Sequence, residues 1–299
     1  MTLTMAALVG LGTTLTAVTL VWVLSVRLRN ASIADVWWGM GFLQLAWFYC
    51  FLSPVLSPRS WLVAALVTLW GARLSLHIYR RNPGKGEDPR YQAMRALHGG
   101  AFWWRSLFTV FWLQGAIQWF VAIPLLVAIR ATRPAALTAV DGLGVVLFVV
   151  GFGFEVVGDY QLARFKAEPS NRGRVLDRGL WRYTRHPNYF GDAMLWWGVY
   201  AIAAANPGGW FTVLSPALMS FLLMRVSGVT LLEEGLKASK PGYHAYIRRT
   251  PAFFPWFPRI TRTRGQRCRR RPLHPPPRFR RSRPFRMAGA SFSVTRTTS

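Results

Sequence analysis

Seven long apolar runs, separated by short segments that hold nearly all the charge, constrain this chain more than any other feature of its sequence. Residues 1–26 contain no charged side chain. At about 1.5 Å per residue they are long enough to cross a hydrocarbon core of about 30 Å. Further runs cover 36–56, 61–79, 107–129, 139–158, 190–206 and 210–232. Lipid offers the backbone no hydrogen-bond partners, so runs of this length must satisfy their own amides and fold as helices. The sequence therefore predicts an all-α polytopic membrane protein of about seven transmembrane helices. The first run lacks the basic start of a cleavable signal peptide and is expected to remain as a span. Arg73 and His77 interrupt the third, and the sixth is short, ending at Asn206-Pro207-Gly208-Gly209, so six and eight spans are the neighbouring readings.

Charge placement gives the orientation. With the N-terminus outside, the cytosolic segments hold fifteen Lys and Arg, from Arg27 through Arg80 and Arg81 to Arg164, Lys166 and Arg185, whereas the opposite side holds only Arg59, Arg130 and Arg133. This asymmetry predicts an outside N-terminus and a cytosolic C-terminus. The same arrangement explains how a chain with 37 Lys+Arg against 11 Asp+Glu can be 52% hydrophobic. A disordered basic protein would not carry 15 Trp and 20 Phe. With Cys50 in an apolar run and Cys268 in an Arg-rich tail, no disulfide framework or cysteine-based zinc site is available. The five His are scattered, and no metal site is expected.

Two regions follow: a helical domain over 1–258, and a tail over 259–299 with thirteen Arg, no acid and a Pro275-Pro276-Pro277 run. The tail has no apolar period and cannot fold alone. It is either a polybasic segment lying on anionic lipid or an unselected extension, such as a shifted reading frame. It lacks interleaved aromatics or a recognisable module, so no nucleic-acid partner is expected.

The most informative segment runs from Asp159 to Asp192. It interleaves Lys166, Arg182, Tyr183, Arg185, His186, Asn188 and Tyr189, and positive-inside bias explains its cations without explaining this mixture. Arg forks bind phosphate in two-point geometry and aromatic rings stack on bases, so the loop suits an anionic nucleotide. Pro187 permits a helix to start directly after His186, placing Asn188 and Asp192 on one face. Glu155 and Asp159 share a face one helix earlier, where carboxylates are costly unless paired or hydrated. Glu233 and Glu234, followed by Tyr243 and Tyr246, lie on the same side of the membrane and are expected to close around the same ligand. Asp35, and Arg73, His77 and Tyr79, are further polar groups at helix depth; Arg73 and His77 either serve a site or pair with Asp35 to orient helices. No phosphate loop, dinucleotide fingerprint or nucleophile elbow is present.

The segment Gly179-Leu180-Trp181-Arg182-Tyr183-Thr184-Arg185-His186-Pro187-Asn188-Tyr189-Phe190-Gly191-Asp192 resembles the C-terminal domain of the steroid 5-alpha-reductase family, closest to its bacterial branch. The likeness extends over most of 30–258, through Ala34-Asp35-Val36-Trp37-Trp38-Gly39, Trp70-Gly71-Ala72-Arg73-Leu74, Glu87-Asp88-Pro89-Arg90-Tyr91 and the closing 246–256 segment, with the reductase-like motif region at about 139–258. The central motif is shared with isoprenylcysteine carboxyl methyltransferases, whose Arg-His-Pro and Glu-Glu elements look like Arg185-His186-Pro187 and Glu233-Glu234. The reductase resemblance implies NADPH held by Asp159, Lys166, Asn188 and Asp192, with Glu155 where that family commonly has Asn. It gives no clear match for the family's catalytic Glu and Tyr, and Asp35 and Tyr79 are the candidates.

The function expected first is an NADPH-dependent reductase of a carbon-carbon double bond in a lipophilic enone, steroid-like or isoprenoid, embedded in a bacterial inner membrane. The alternatives are an S-adenosylmethionine-dependent methyltransferase of a lipophilic acceptor and a non-catalytic lipid-binding membrane protein. The sequence leaves substrate identity and oligomeric state open.

Overall fold

The computed structural model describes residues 1–81, 84, 86–226 and 229–259. The tail region assigned to 259–299 lies outside the described residues apart from Arg259, as does Lys85 among the loop cations. Among the described residues the chain is all-helical, without a strand. The helices are α1 Leu3–Leu28, α2 Ile33–Leu52, α3 Pro58–Arg81, α4 Pro89–His98, α5 Phe102–Ser106, α6 Leu113–Val121, α7 Ile123–Arg130, α8 Ala139–Ala167, α9 Pro187–Ala204, α10 Leu214–Phe221, α11 Val229–Ser239 and α12 Tyr243–Arg249. Two π-helical stretches, Leu107–Trp112 between α5 and α6 and Leu222–Val226 after α10, continue their neighbours.

Among the described residues each of the seven apolar runs is largely helical, and five stretches are long and apolar enough to cross a membrane: Leu3–Leu28, Pro58–Arg81, Pro89–Arg130, Ala139–Ala167 and Gly209–Val226. The difference from seven lies in α2 and α9. They have 20 and 18 residues but carry Asp35, Gln44, Asn188 and Asp192 among Trp and Gly, and side chains on both helices are buried in the protein core. Such helices are shaped for protein neighbours more than for lipid.

Glycine sets two close crossings between α8 and α9. A Cβ on Gly151 of α8 would come within 2.6 Å of the Gly191 carbonyl oxygen on α9, and one on Gly198 within 2.6 Å of the Gly144 oxygen. Only hydrogen fits at these crossings, so α8 and α9 meet backbone to backbone. Where α2, α3 and α9 converge, Phe42, Trp70 and Trp196 pack at ring angles of 51–89° with centroids 4.6–5.5 Å apart, all fully buried. Such aromatic contacts each contribute about 1 kcal/mol beyond area burial.

At one end of the bundle the guanidinium of Arg59, buried at 1% exposure, grips Asp141 through Nε and Nη2 at 2.6 and 2.8 Å and donates to Asn206 Oδ1 at 2.9 Å. Asp141 also closes a capping box with Thr138 at the start of α8. One side chain thus ties α3, α8 and the end of α9. The acidic residues described below lie at the other end of the same helices, about 21 Å along α3 and α8.

Candidate functional site

On α8, Glu155 and Asp159 share one face, as their spacing predicts, and α3 brings the cation between them. Arg73 Nη1 lies 2.7 Å from Glu155 Oε1 and Nη2 lies 2.6 Å from Asp159 Oδ2. Trp70, one turn before Arg73, donates Nε1–H to Glu155 Oε2 at 2.9 Å, so the aromatic core also fixes this carboxylate. His77 Nε2 stands 3.5 Å from Asp159 Oδ2. The sequence allowed Arg73 and His77 to pair with Asp35; the structure pairs them with α8 instead.

Asp35 is held by α4. It accepts from Arg90 Nη2 at 2.6 Å and from the Tyr91 hydroxyl at 2.7 Å, and that hydroxyl accepts from Gln114 Nε2 at 3.1 Å. The segment before α4 is anchored to the α1–α2 turn: Asp88 caps the helix through the Arg90 amide, and Glu87 accepts from the Ala31 amide and from Arg95. Burial pushes the Glu87 carboxyl up, but the Arg95 and Ala31 hydrogen bonds outweigh it and hold it below its ordinary value.

Between these groups lies a cavity of about 330 Å³. Its polar lining comprises Asp35, His77, Arg81, Arg90, Gln114, Glu155, Asp159, Asn188 and Asp192. Leu74, Ile78, Ile117, Met219, Leu223 and Val226 supply the apolar remainder. Asn188, in the first turn of α9, donates Nδ2–H to Asp159 Oδ1 at 3.1 Å. Asp192, one turn on, lines the cavity with a buried Oδ1 that has no hydrogen-bond partner among the described residues. An orphaned buried acceptor is costly, and it marks where a ligand donor fits. Arg81 is an exposed lining residue, and no ion pair holds it among the described residues.

A second cluster sits beside the cavity and not in it. Arg185 grips Glu233 through Nε at 2.7 Å and Nη2 at 3.1 Å, and His186 Nε2 lies 3.1 Å from the same carboxylate. Arg185 also donates to the Thr250 carbonyl at 2.6 Å, while Tyr246 donates its hydroxyl to the Trp181 carbonyl. Burial pushes the Glu233 carboxyl up, but hydrogen bonds from His186 and Arg185 and their charges prevail and hold it down at about 2. Tyr243 and Tyr246 are buried against this clamp. The link to the cavity is Tyr189, which lines it and stacks on His186 at 5.5 Å and 4°.

The residues expected to surround one ligand therefore divide. Asp35, Glu155, Asp159, Asn188, Tyr189 and Asp192 converge on the cavity. Arg185, His186, Glu233, Tyr243 and Tyr246 form the clamp, in which Arg185 and His186 are engaged by Glu233 and Tyr246 by the Trp181 carbonyl, while the buried Tyr243 hydroxyl has no hydrogen-bond partner among the described residues. Lys166, Arg182, Tyr183 and Glu234 are exposed side chains that line no part of the cavity. Tyr79, offered as a catalytic candidate, is 64% exposed on α3 and also stands away from the lining. The tyrosine that reaches Asp35 is Tyr91. Arg81, Arg90, Tyr91 and Gln114 were missed as site residues; the Glu87-to-Tyr91 motif was the available signal for two of them. Among the described residues, no group of three or more His, Cys, Asp or Glu is placed to hold a metal ion.

A family profile described as "Protein of unknown function (DUF1295)" matches residues 21–250. That family is associated with steroid 5-alpha-reductase-like proteins. The chain is similar to the "Uncharacterized protein C594.04c" of Schizosaccharomyces pombe, 29% identical over 265 residues, with 78% of this chain and 75% of the relative covered. No solved structure matches.

Proposed function

We propose, from the premise that the chain belongs to the DUF1295 family, that it is a membrane-embedded NADPH-dependent reductase of a lipophilic enone, steroid-like or isoprenoid. The observation that carries this reading is the convergence of Asp159, Asn188 and Asp192 with Asp35 and Arg90 on one cavity lined by both polar and apolar side chains. About 330 Å³ lies at the lower end of small-molecule sites and suits the reacting parts of two ligands, not their full length.

The residues present fit this cofactor. The unpartnered Oδ1 of Asp192 is an acceptor for an amide or hydroxyl donor, Asp159 and Asn188 offer further polar atoms, and the exposed lining residue Arg81, in no ion pair among the described residues, suits a phosphate. NADPH, when bound, supplies the hydride added to the β-carbon of the enone. This chain's residues then hold the ketone oxygen through the Arg90 and Gln114 donors, and the Asp35–Tyr91 hydrogen bond keeps a proton at the wall for the α-carbon. The apolar lining seats a lipophilic substrate and excludes water.

We read α2 and α9 as crossing the membrane as well, giving seven spans with the N-terminus outside and the cavity's charged end facing the cytosol, in a bacterial inner membrane. The cation asymmetry of the loops supports this orientation.

A second reading has one observation in its favour. Four carboxylates at the cavity, Asp35, Glu155, Asp159 and Asp192, also complement the sulfonium and ammonium groups of S-adenosylmethionine. Of the Glu233-Glu234 pair that resembles the methyltransferases' Glu-Glu element, Glu233 is bound by Arg185.

Incubating membranes that contain the protein with deuterium-labelled NADPH, methyl-labelled S-adenosylmethionine and a panel of lipophilic enones and acids tests the proposal. A saturated ketone carrying deuterium at its β-carbon, absent with Asp35→Asn, is expected; labelled methyl transfer to a lipophilic acid, with no reduction, contradicts it.

A further inference from the structure

The face of α8 opposite Glu155 and Asp159 carries a second feature, independent of the reductase reading. At about 100° per residue, Val146, Val149, Val150, Val157, Tyr160 and Arg164 form one strip along this helix. Its apolar members are exposed, between 40% and 61%. Gly153 lies in the same strip, and nothing would meet a Cβ there. The strip runs into a groove of about 800 Å³ between α8 and the 171–179 loop.

Two exposed guanidiniums, Arg164 and Arg178, line this groove against one carboxylate, Glu168. Neither arginine is in an ion pair among the described residues. Arg178 instead sits over the Phe165 ring at 6.0 Å, which positions it without neutralising it. The groove's floor is built. Phe165, Leu176 and Trp181 pack into a small buried cluster, Trp181 donates Nε1–H to the Gly158 carbonyl at 3.1 Å, and Gln161 accepts from the Leu180 amide at 3.0 Å. Gly179, at φ 63°, lets the loop close, since a Cβ there would strike the Gln161 side chain at 2.6 Å.

We propose that this groove binds one anionic phospholipid of the surrounding bilayer, its phosphate taken by Arg164 and Arg178 and an acyl chain lying on the valine strip. Charge complementarity selects the head, because two free guanidiniums outnumber the single carboxylate. Continuity with the exposed strip of an apolar, membrane-length helix selects a lipid over a soluble anion. Tyr160, between strip and arginines, stands where aromatic residues gather at the headgroup level.

Native mass spectrometry of the full chain in detergent, with phosphatidylglycerol and phosphatidylcholine of identical acyl chains, tests this. The wild-type protein is expected to retain one phosphatidylglycerol about tenfold more strongly than phosphatidylcholine, and the Arg164→Gln/Arg178→Gln variant to lose that preference. The Arg-rich tail is the same in both proteins, so equal retention by the variant places the lipid elsewhere and overturns the proposal. Displacement of the lipid by millimolar inorganic phosphate also overturns it, as the mark of a soluble-anion site. Should the double variant not fold, hydrogen exchange on the wild type decides: added protection of 157–179 with phosphatidylglycerol and not phosphatidylcholine supports the site, and unchanged exchange refutes it.

Discussion

Tyr91 donates its hydroxyl hydrogen to Oδ1 of Asp35 at 2.7 Å, joining residues 56 positions apart. The contact selects Tyr91 over Tyr79 as the tyrosine that positions the cavity's Asp35. Tyr91→Phe is expected to lower turnover of an enone at least about tenfold with a smaller change in KM, and to shift the pH–rate profile. Tyr79→Phe, on the exposed face of α3, is expected to leave both constants within about twofold. Steady-state kinetics of the two variants side by side make the comparison.

Arg73 is shared by Glu155 and Asp159, so its loss strands two carboxylates at once. Removing one partner of a buried ion pair costs about 3–5 kcal/mol; with Arg73 at 19% side-chain exposure, the lower end is expected for Arg73→Met. Thermal unfolding in detergent reads this, and adding Glu155→Gln to Arg73→Met should recover part of the loss.

Arg59 makes the opposite case, a buried ion pair about 21 Å from the cavity along α3. Arg59→Met is expected to destabilise by about 3–5 kcal/mol through the uncompensated Asp141. Folded protein should still bind cofactor with wild-type affinity, within about twofold. A large affinity loss in well-folded protein would show that the far end of the bundle governs the site.

Glu233 sets an acid limb. Its carboxyl is held at about 2 against an ordinary 4.5, so its stabilising effect is fully present above about pH 4.5 and is lost as pH falls toward 2. A stability–pH curve should fall through that window in the wild type and less steeply in Glu233→Gln. Parallel curves would remove Glu233 from the acid response.

How much of this was legible in the sequence depends on the range of the interaction. The apolar runs gave every long helix, because hydrophobic length is a local property. The same local logic put Glu155 with Asp159, and Asn188 with Asp192, since helical spacing decides which residues share a face. What the sequence could not supply was the partner across helices. Arg59 reads as a loop cation, yet it is buried against Asp141, 82 positions away. Arg185 and Glu233 read as ligand groups, yet they satisfy each other. Arg90 reads as a topogenic charge, although it lines the cavity. Among basic residues in a membrane protein, topology, ion pairing and ligand binding leave the same mark on the sequence, and only packing separates them.

A nicotinamide cofactor is proposed for the cavity bounded by Asp159, Asn188 and Asp192. Calorimetric titration of the purified protein with NADPH and with S-adenosylmethionine tests this most directly. Tighter NADPH binding is expected, weakened about tenfold or more by Asp192→Leu, which removes the unpartnered acceptor. Tighter S-adenosylmethionine binding, or NADPH affinity unchanged in Asp192→Leu, would contradict the proposal.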